Sequence, residues 1–473
     1  MSDQKKKLFS PFVKQCFVTA TVCMNVLSNG AAYGFPAILL PQLKQPDSPI
    51  PISKSEESWI AAVVTIAMLV GNFSMPIFME KLGRKKAHFM VMLPTVIGWF
   101  LIIFATSVQN LIIARIMHGL SLGQIVMIRA VIIGEYTSPK NRGAFLTLIS
   151  LAQTSGVFVV HLMGSLLKWQ TTAAISVVFT VLSFMMTFFL PESPSWLANN
   201  GKYEECQKHF EWLRGADENE ELKELIQARM KHNASKNVDI KAALKQLDFY
   251  KPIIVSLHIS LIMFFAGTIT VAVYGTTIIA EIMGPDVDAH FWLLCLDSVR
   301  IVTSFLAVYL VRTFRRRTVT FGSVGLCLLV HILIITHVTL IKFGVRIFDY
   351  FWIPAILMNL QCFSLSAGLL PINNVITGEI FPLAHRSVGI SITTTVATGF
   401  HFIVLKTFPY LLSEVGIAGV YGIYATVMTY GLIVTWVIMP ETKGRTLQQI
   451  ENRFKGVKGT APELESLNNN NKA

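Results

Sequence analysis

Four glutamates and four arginines recur in this 473-residue chain in a fixed order. Gly134-Glu135…Pro139…Arg142 returns as Gly378-Glu379…Pro382…Arg386, the glutamate preceding the arginine by seven residues in both copies. Glu80-Lys81-Leu82-Gly83-Arg84-Lys85-Lys86 returns, with substitutions, as Val311-Arg312-Thr313-Phe314-Arg315-Arg316-Arg317. Pro191-Glu192-Ser193-Pro194 closes one long apolar stretch, and Pro440-Glu441-Thr442-Lys443 closes another. The chemistry of such a set is ion pairing. The planar forks of Arg84, Arg142, Arg315 and Arg386 match carboxylates, and Glu135, Glu192, Glu379 and Glu441 supply them. No phosphate-binding loop, catalytic triad or metal-ligand cluster accompanies them, so an enzyme has little support and no cofactor is expected. Three motifs in one order, twice, mean a duplicated half-molecule.

The elements that carry these residues are apolar helices. The chain is 53% hydrophobic and 14% charged, with a mean hydropathy of +0.55. Soluble domains carry about 25% charged residues, so the lipid bilayer is the expected solvent. Apolar runs long enough to span recur twelve times, near 12–40, 58–79, 88–106, 111–134, 144–167, 172–190, 252–283, 290–311, 318–341, 348–378, 387–412 and 417–439. Helices are expected throughout, since a barrel strand spans with about 10 alternating residues. The net charge of +12 does not point to nucleic acid. Lys5, Lys6, Lys7 and Lys14 precede span one, and basic clusters follow every even-numbered span. The positive-inside rule then puts both termini in the cytoplasm.

The domain plan expected is a six-helix half over 1–190, a polar linker over 191–251, a second six-helix half over 252–439 and a tail over 440–473. Lys202 to Arg214 and Glu218 to Met230 alternate charge with apolar residues at helical spacing and read as short amphipathic helices. The tail beyond Phe454 is expected to be disordered. The prolines at 41, 46, 49 and 51 make 41–57 an irregular loop. The basic start leads into a full-length span, so no cleavable signal is expected. Five of six cysteines lie in apolar spans and Cys206 in the linker, so no disulfide is expected. The Asn233-Ala-Ser235 sequon falls on the cytoplasmic side and should go unused.

Six motifs in one order resemble the sugar porter family of the major facilitator superfamily, across nearly the whole chain. They are Glu80 to Lys86, Arg115-x3-Gly119-x3-Gly123, Glu135-x3-Pro139-x2-Arg142-Gly143, Pro191-Glu-Ser-Pro194-x-Trp-Leu197, Glu379-Ile-Phe-Pro382-x3-Arg386 and Pro440-Glu-Thr-Lys-Gly444-Arg445. Ser58-Trp59 and Trp212-Leu-Arg-Gly215 further resemble the facilitated trehalose transporter-like group of insects. The resemblance implies an all-α membrane protein of twelve helices in two pseudo-symmetric halves that work by alternating access. It also implies that the glutamates and arginines form a conformational latch between the halves on the cytoplasmic side. Single partly wet pairs contribute about 0–1 kcal/mol, so only a network could bias the states. Gly119 and Gly123, four apart, read as a close helix crossing.

The resemblance weakens in the membrane interior. Aligned on Tyr274, Met263 and Phe264 replace the family's paired glutamines and Ile269 its asparagine. Asn373 and Asn374 stand for a proline and a tryptophan in span ten, Ser150 for a glutamine in span five, and Ala397 and Thr398 for an asparagine in span eleven. Sugars need many hydrogen-bond partners and an aromatic face, so this lining departs from the usual hexose site. The substrate-binding candidates are Ser150, Gln153, Tyr274, Asn373, Asn374 and Thr398, with Tyr274 equally readable as a packing aromatic. The threonines more often bond to their own helix.

Ionisable groups inside spans are functional candidates. Span one, from Cys16 to Leu40, has no Asp, Glu, Arg or Lys, which favours facilitated diffusion over proton symport. Asp297 and Arg300, three apart, read as a mutually neutralising pair. Arg129 admits two readings, pairing in the cavity with Glu135 or a substrate anion, or snorkelling to a helix end. The expectation is facilitative transport of a small-molecule sugar, trehalose or a hexose, by a plasma-membrane monomer. A non-sugar solute such as an organic anion is the alternative, and a non-transporting sugar sensor is a third. The changed residues at 311–317 motivate the sensor.

Overall fold

The computed structural model describes residues 10–215, 222, 247–345, 350–381, 386–443, 450 and 454, without the side chains of 247–249, 378 and 386–388. The second linker helix expected at 218–230 (apart from Leu222), the sequon at Asn233, the residues at 444–445 and the tail beyond Phe454 lie outside these residues.

Twelve crossings follow from eleven long apolar helical stretches. The last helix, Arg386–Ile438, has 53 residues and a break at Gly416, where φ is +67°. At 1.5 Å per residue it would be about 80 Å long, more than twice the apolar core of a bilayer, so it crosses twice. Three spans are interrupted. Span one is α1 (Pro11–Gly34) followed by α2 (Pro36–Leu43), broken at Phe35–Pro36 because Pro36 has no N–H to donate. Span seven runs over Leu247–Phe265 and Thr268–Met283, broken at Gly267 (φ +88°). Span ten contains a π-turn over Leu365–Leu369. Broken helices of this kind are tolerated where protein groups re-satisfy the freed backbone. Span two starts earlier than expected, at Lys54, because Ser53 and Glu56 form a capping box. The linker helix expected at 202–214 is Tyr203–Arg214. It is docked through Gln15, which donates to the Leu213 carbonyl and accepts from the Ser138 N–H.

The helices of the first half cross at glycines. A Cβ on Gly119 would stand 2.2 Å from the Val64 carbonyl, and one on Gly123 2.1 Å from that of Met68. Gly71 opposes them from span two, and Gly30 and Gly156 do the same between spans one and five. These backbones touch because no side chain separates them, as expected for Gly119 and Gly123.

The start of α1, the linker helix Tyr203–Arg214 and the starts of spans three and five lie together at one membrane face, termed the basic face. At the opposite face the halves share one core. Ala31, Phe35, Leu39 and Trp99 of the first half pack in one cluster with Ile269, Tyr274, Phe408 and Tyr421 of the second. Towards the basic face the cores separate. One cluster joins first-half residues such as Val22, Ile128 and Phe145 with Leu213 of the linker, and another joins second-half residues such as Val255, Ile376 and Phe381 with Ile450 and Phe454 of the tail. Among the described residues the apolar core is therefore continuous between the halves at the opposite face and divided towards the basic face.

Candidate transport site and its paired charge networks

At the basic face each half builds the same network. Arg84 begins the third span (Arg84–Ile103), and its fork is bidentate on Glu135, Nε to Oε2 and Nη2 to Oε1, both at 2.7 Å. Ser193 donates to the same carboxylate at 2.5 Å, and Arg84 Nη1 donates to the Met79 carbonyl. Glu192 accepts from the backbone N–H groups of Arg84 (2.6 Å), Lys85 and Ser193, so a carboxylate sits on the free N–H groups of a helix start. In the second half Arg316 donates to Glu379 at 3.1 Å and to the Val311 carbonyl, and Thr442 donates to Glu379 at 2.6 Å. Glu441 accepts from the N–H groups of Arg316, Arg317 and Lys443. Burial opposes ionisation of Glu441, but the backbone N–H groups of Lys443, Arg317, Arg316 and Thr442 outweigh it and hold the carboxyl below its ordinary value.

One expectation changes. Arg315 does not occupy the pairing position. It is the cap residue of the helix Arg316–Lys342, with extended backbone (φ −66°, ψ 145°), and Arg316 makes the ion pair. The correct register matches Gly83 with Arg315 and Glu80 with Arg312. Gly83 needs to be glycine because its φ is +84° and a Cβ would lie 2.4 Å from the Glu192 carboxylate. Arg315 adopts a φ open to any residue, so the second copy builds the network without the glycine. The latch between halves is expected to form where this face is closed and to break where it opens. Every described pair of these networks joins helices of one half, and none crosses between halves at the basic face among the described residues. Arg142 donates to the Thr137 carbonyl at the end of span four, and the side chain of Arg386 lies outside the described residues.

The membrane candidates divide into two groups. Gln153 is half-buried and accepts from Arg129 Nη1 at 3.2 Å; Glu135, the other partner considered for Arg129, is engaged by Arg84. Asn373 accepts from Ser260 at 3.3 Å, and Asn374 beside it is exposed. Ser150 is exposed and bonds to the Leu146 carbonyl. The remaining two are committed to structure. Tyr274 is buried, stacks on Phe408 at 4.7 Å and donates to the Leu405 carbonyl. Thr398 is buried and donates to its own helix at Thr394.

Sequence reasoning passed over three groups. Ser193 and Thr442 each follow the repeated Pro-Glu, so the repeat itself marked them. Arg316 was concealed by the one-residue slip in the damaged copy. His161 carried no signal. Asp297 does approach Arg300 (3.4 Å), but its shorter contact is to His161 at 2.5 Å.

The family model described as "Sugar (and other) transporter" matches residues 14–454. A facilitated trehalose transporter of Apis mellifera ligustica is 27% identical over 84% of this chain and 79% of its own length. One from Bombyx mori is 28% identical over 93% of this chain and 86% of its own. Among solved structures, the proton:xylose symporter XylE bound to 6-bromo-6-deoxy-D-glucose superposes with a TM-score of 0.73 at 17% identity, covering 94% of this chain and 100% of that one. An inward-open form of XylE from E. coli superposes at 0.71 and 18% identity, covering 94% and 100%. With the family model spanning nearly the whole chain and the fold matching end to end, the protein belongs to the sugar (and other) transporter family of major facilitator transporters and is not an enzyme.

Proposed function

We propose that this protein carries a sugar, trehalose or a hexose, down its gradient across the plasma membrane. It works as a monomer by alternating access, with the basic face and both termini in the cytoplasm. The observation that carries the reading is the shared core at one face and the separate cores at the other, which is the geometry of an inward-open carrier. Relatives named as facilitated trehalose transporters support the cargo, and the positive-inside pattern supports the orientation. The basic-face networks then brace each half as a rigid unit, and closure of that face brings the two units together. The substrate candidates of this reading are Gln153 with Arg129, Asn373 with Ser260, Asn374 and Ser150. Uptake of radiolabelled trehalose and glucose into proteoliposomes without a proton gradient is the test. Saturable flux is expected. No saturable flux of any sugar overturns the cargo, and an absolute need for a pH gradient overturns the facilitative mechanism.

One observation favours an organic-anion cargo as a second reading. The described partner of Arg129 is the neutral amide of Gln153, which leaves a guanidinium charge available to a ligand. Inhibition by a panel of carboxylates, lost in Arg129→Gln, would favour it over the sugar. The sensor reading loses its motive, because the altered residues at 311–317 form a complete network.

A further inference from the structure

A buried chain of polar groups runs between the breaks in spans one and seven, across the two halves. Ile38 donates to the Phe35 carbonyl instead of continuing the helix, and this frees the Gly34 carbonyl. His161 Nε2 bonds that carbonyl at 3.1 Å. His161 Nδ1 meets Asp297 Oδ2 at 2.5 Å, and both side chains are 1% exposed. Asp297 Oδ1 accepts from Arg300 at 3.4 Å, and Arg300 Nη2 donates to the Thr268 carbonyl at 3.0 Å, just past the Gly267 break. His161 belongs to the first half and the other two to the second. A carbonyl only accepts, so Nε2 donates to Gly34. The Nδ1···Oδ2 contact then needs a proton of its own, since a bare ring nitrogen and a carboxylate repel. Arg300 beside Asp297 favours placing that proton on the imidazole. Among the described residues packed around the pair, the other ionisable groups coupled to it are His290 on span eight, Tyr33 on span one and Cys362 on span ten, whose side chain hydrogen-bonds Arg300.

We propose that His161, Asp297 and Arg300 are positioning residues that form the gate of the opposite face. They tie the two helix breaks together and close with one proton held between His161 and Asp297. When the halves part there, the ring and the carboxylate are hydrated separately. The proton they shared is then free to leave to water at that face. It is taken up again from the same face on closing, so no proton crosses the membrane and facilitative transport is preserved. The gate inference rests on the alternating-access reading but not on the cargo.

The test needs no sugar. Spin labels at Gln45 and Val415, exposed in the two halves at the opposite face, would report distance in nanodiscs, with Cys16, Cys23 and Cys295 replaced by serine. A short distance is expected at pH 5.5. A longer population should grow as pH is raised from 5.5, its ratio to the short one increasing by up to tenfold per pH unit for one linked proton. Asp297→Leu, which can neither accept nor donate, should enrich the longer population at least tenfold at both pH values. Asp297→Asn, whose amide N–H can donate to His161 Nδ1 with no extra proton, should keep the gate closed without pH dependence. Distances in the unsubstituted gate that ignore pH overturn the proton. Distances unmoved by Asp297→Leu overturn the gate. Should a variant not fold, the pH series on the intact gate still decides. Flux without a pH-dependent distance would keep the cargo reading and sink this one.

Discussion

At the scale of single residues, the sharpest consequence is the one-position shift in the second network. Arg316→Ala should destabilise the protein by about 1 kcal/mol, the pair being partly wet. Arg315→Ala, which removes only an N-cap side chain, should stay within about 0.5 kcal/mol. Unfolding of the two variants in detergent separates them; the reverse order would restore Arg315 to the pairing position. Glu441 makes a pH prediction whose sign follows from its depressed carboxyl. Its stabilisation is complete above the unfolded carboxylate pKa of about 4.3 and is lost as pH falls through the lower folded value. The thermal midpoint of the unsubstituted protein should therefore drop more steeply than that of Glu441→Gln as the pH is lowered from 5 to 3.

The helices are governed by where side chains are missing. Gly119→Ala puts a methyl 2.2 Å from the Val64 carbonyl, and spans two and four must separate to admit it. Overpacking of this kind costs about 1–3 kcal/mol. Gly399→Ala in span eleven meets nothing within 4 Å and should be neutral or slightly stabilising, since it only removes backbone freedom. Thermal unfolding of the two variants side by side checks both. The break in span seven has a similar steric reason. Gly267 turns with positive φ under the amide of Gln361, which donates to the Ala266 carbonyl freed by the break and is held in turn by Tyr421.

For the whole molecule, function rests on an imbalance between faces. The opposite face is fastened by His161–Asp297, by Thr276 on the Ala37 carbonyl, and by Lys406, which donates to Ser58 and lies 4.0 Å over the Trp59 ring. Lys406→Ala removes a cation–π contact worth about 0.5–1 kcal/mol and a hydrogen bond, so the outward-open population should rise. An apparent affinity scales with the fraction of competent conformer. Sugar offered from the opposite face should bind about two- to fivefold more tightly, while affinity from the basic face stays nearly constant. Zero-trans influx and efflux measurements on oriented proteoliposomes would reveal the asymmetry; an equal change on both faces would mean general damage to the site.

Much of this was legible in the chain. Apolar run length decided helices over strands, because lipid leaves no other way to satisfy a backbone. The doubled motifs revealed two halves and marked Glu192 and Glu441 as carboxylates of the ion-pair set, whereas both accept from the N–H groups of helix starts. Ser193 and Thr442 stood in register too, but their donation to Glu135 and Glu379 was not read from it. Three things depended on distances between residues far apart in sequence. The Arg315–Arg316 choice turned on where a helix begins, which one backbone φ settles. The fate of Tyr274 and Thr398 turned on which side of a helix faces the core. His161 meets Asp297 from 136 positions away. A lone histidine in an apolar run has no periodicity to announce it, because its partner is chosen by the packing of the two halves.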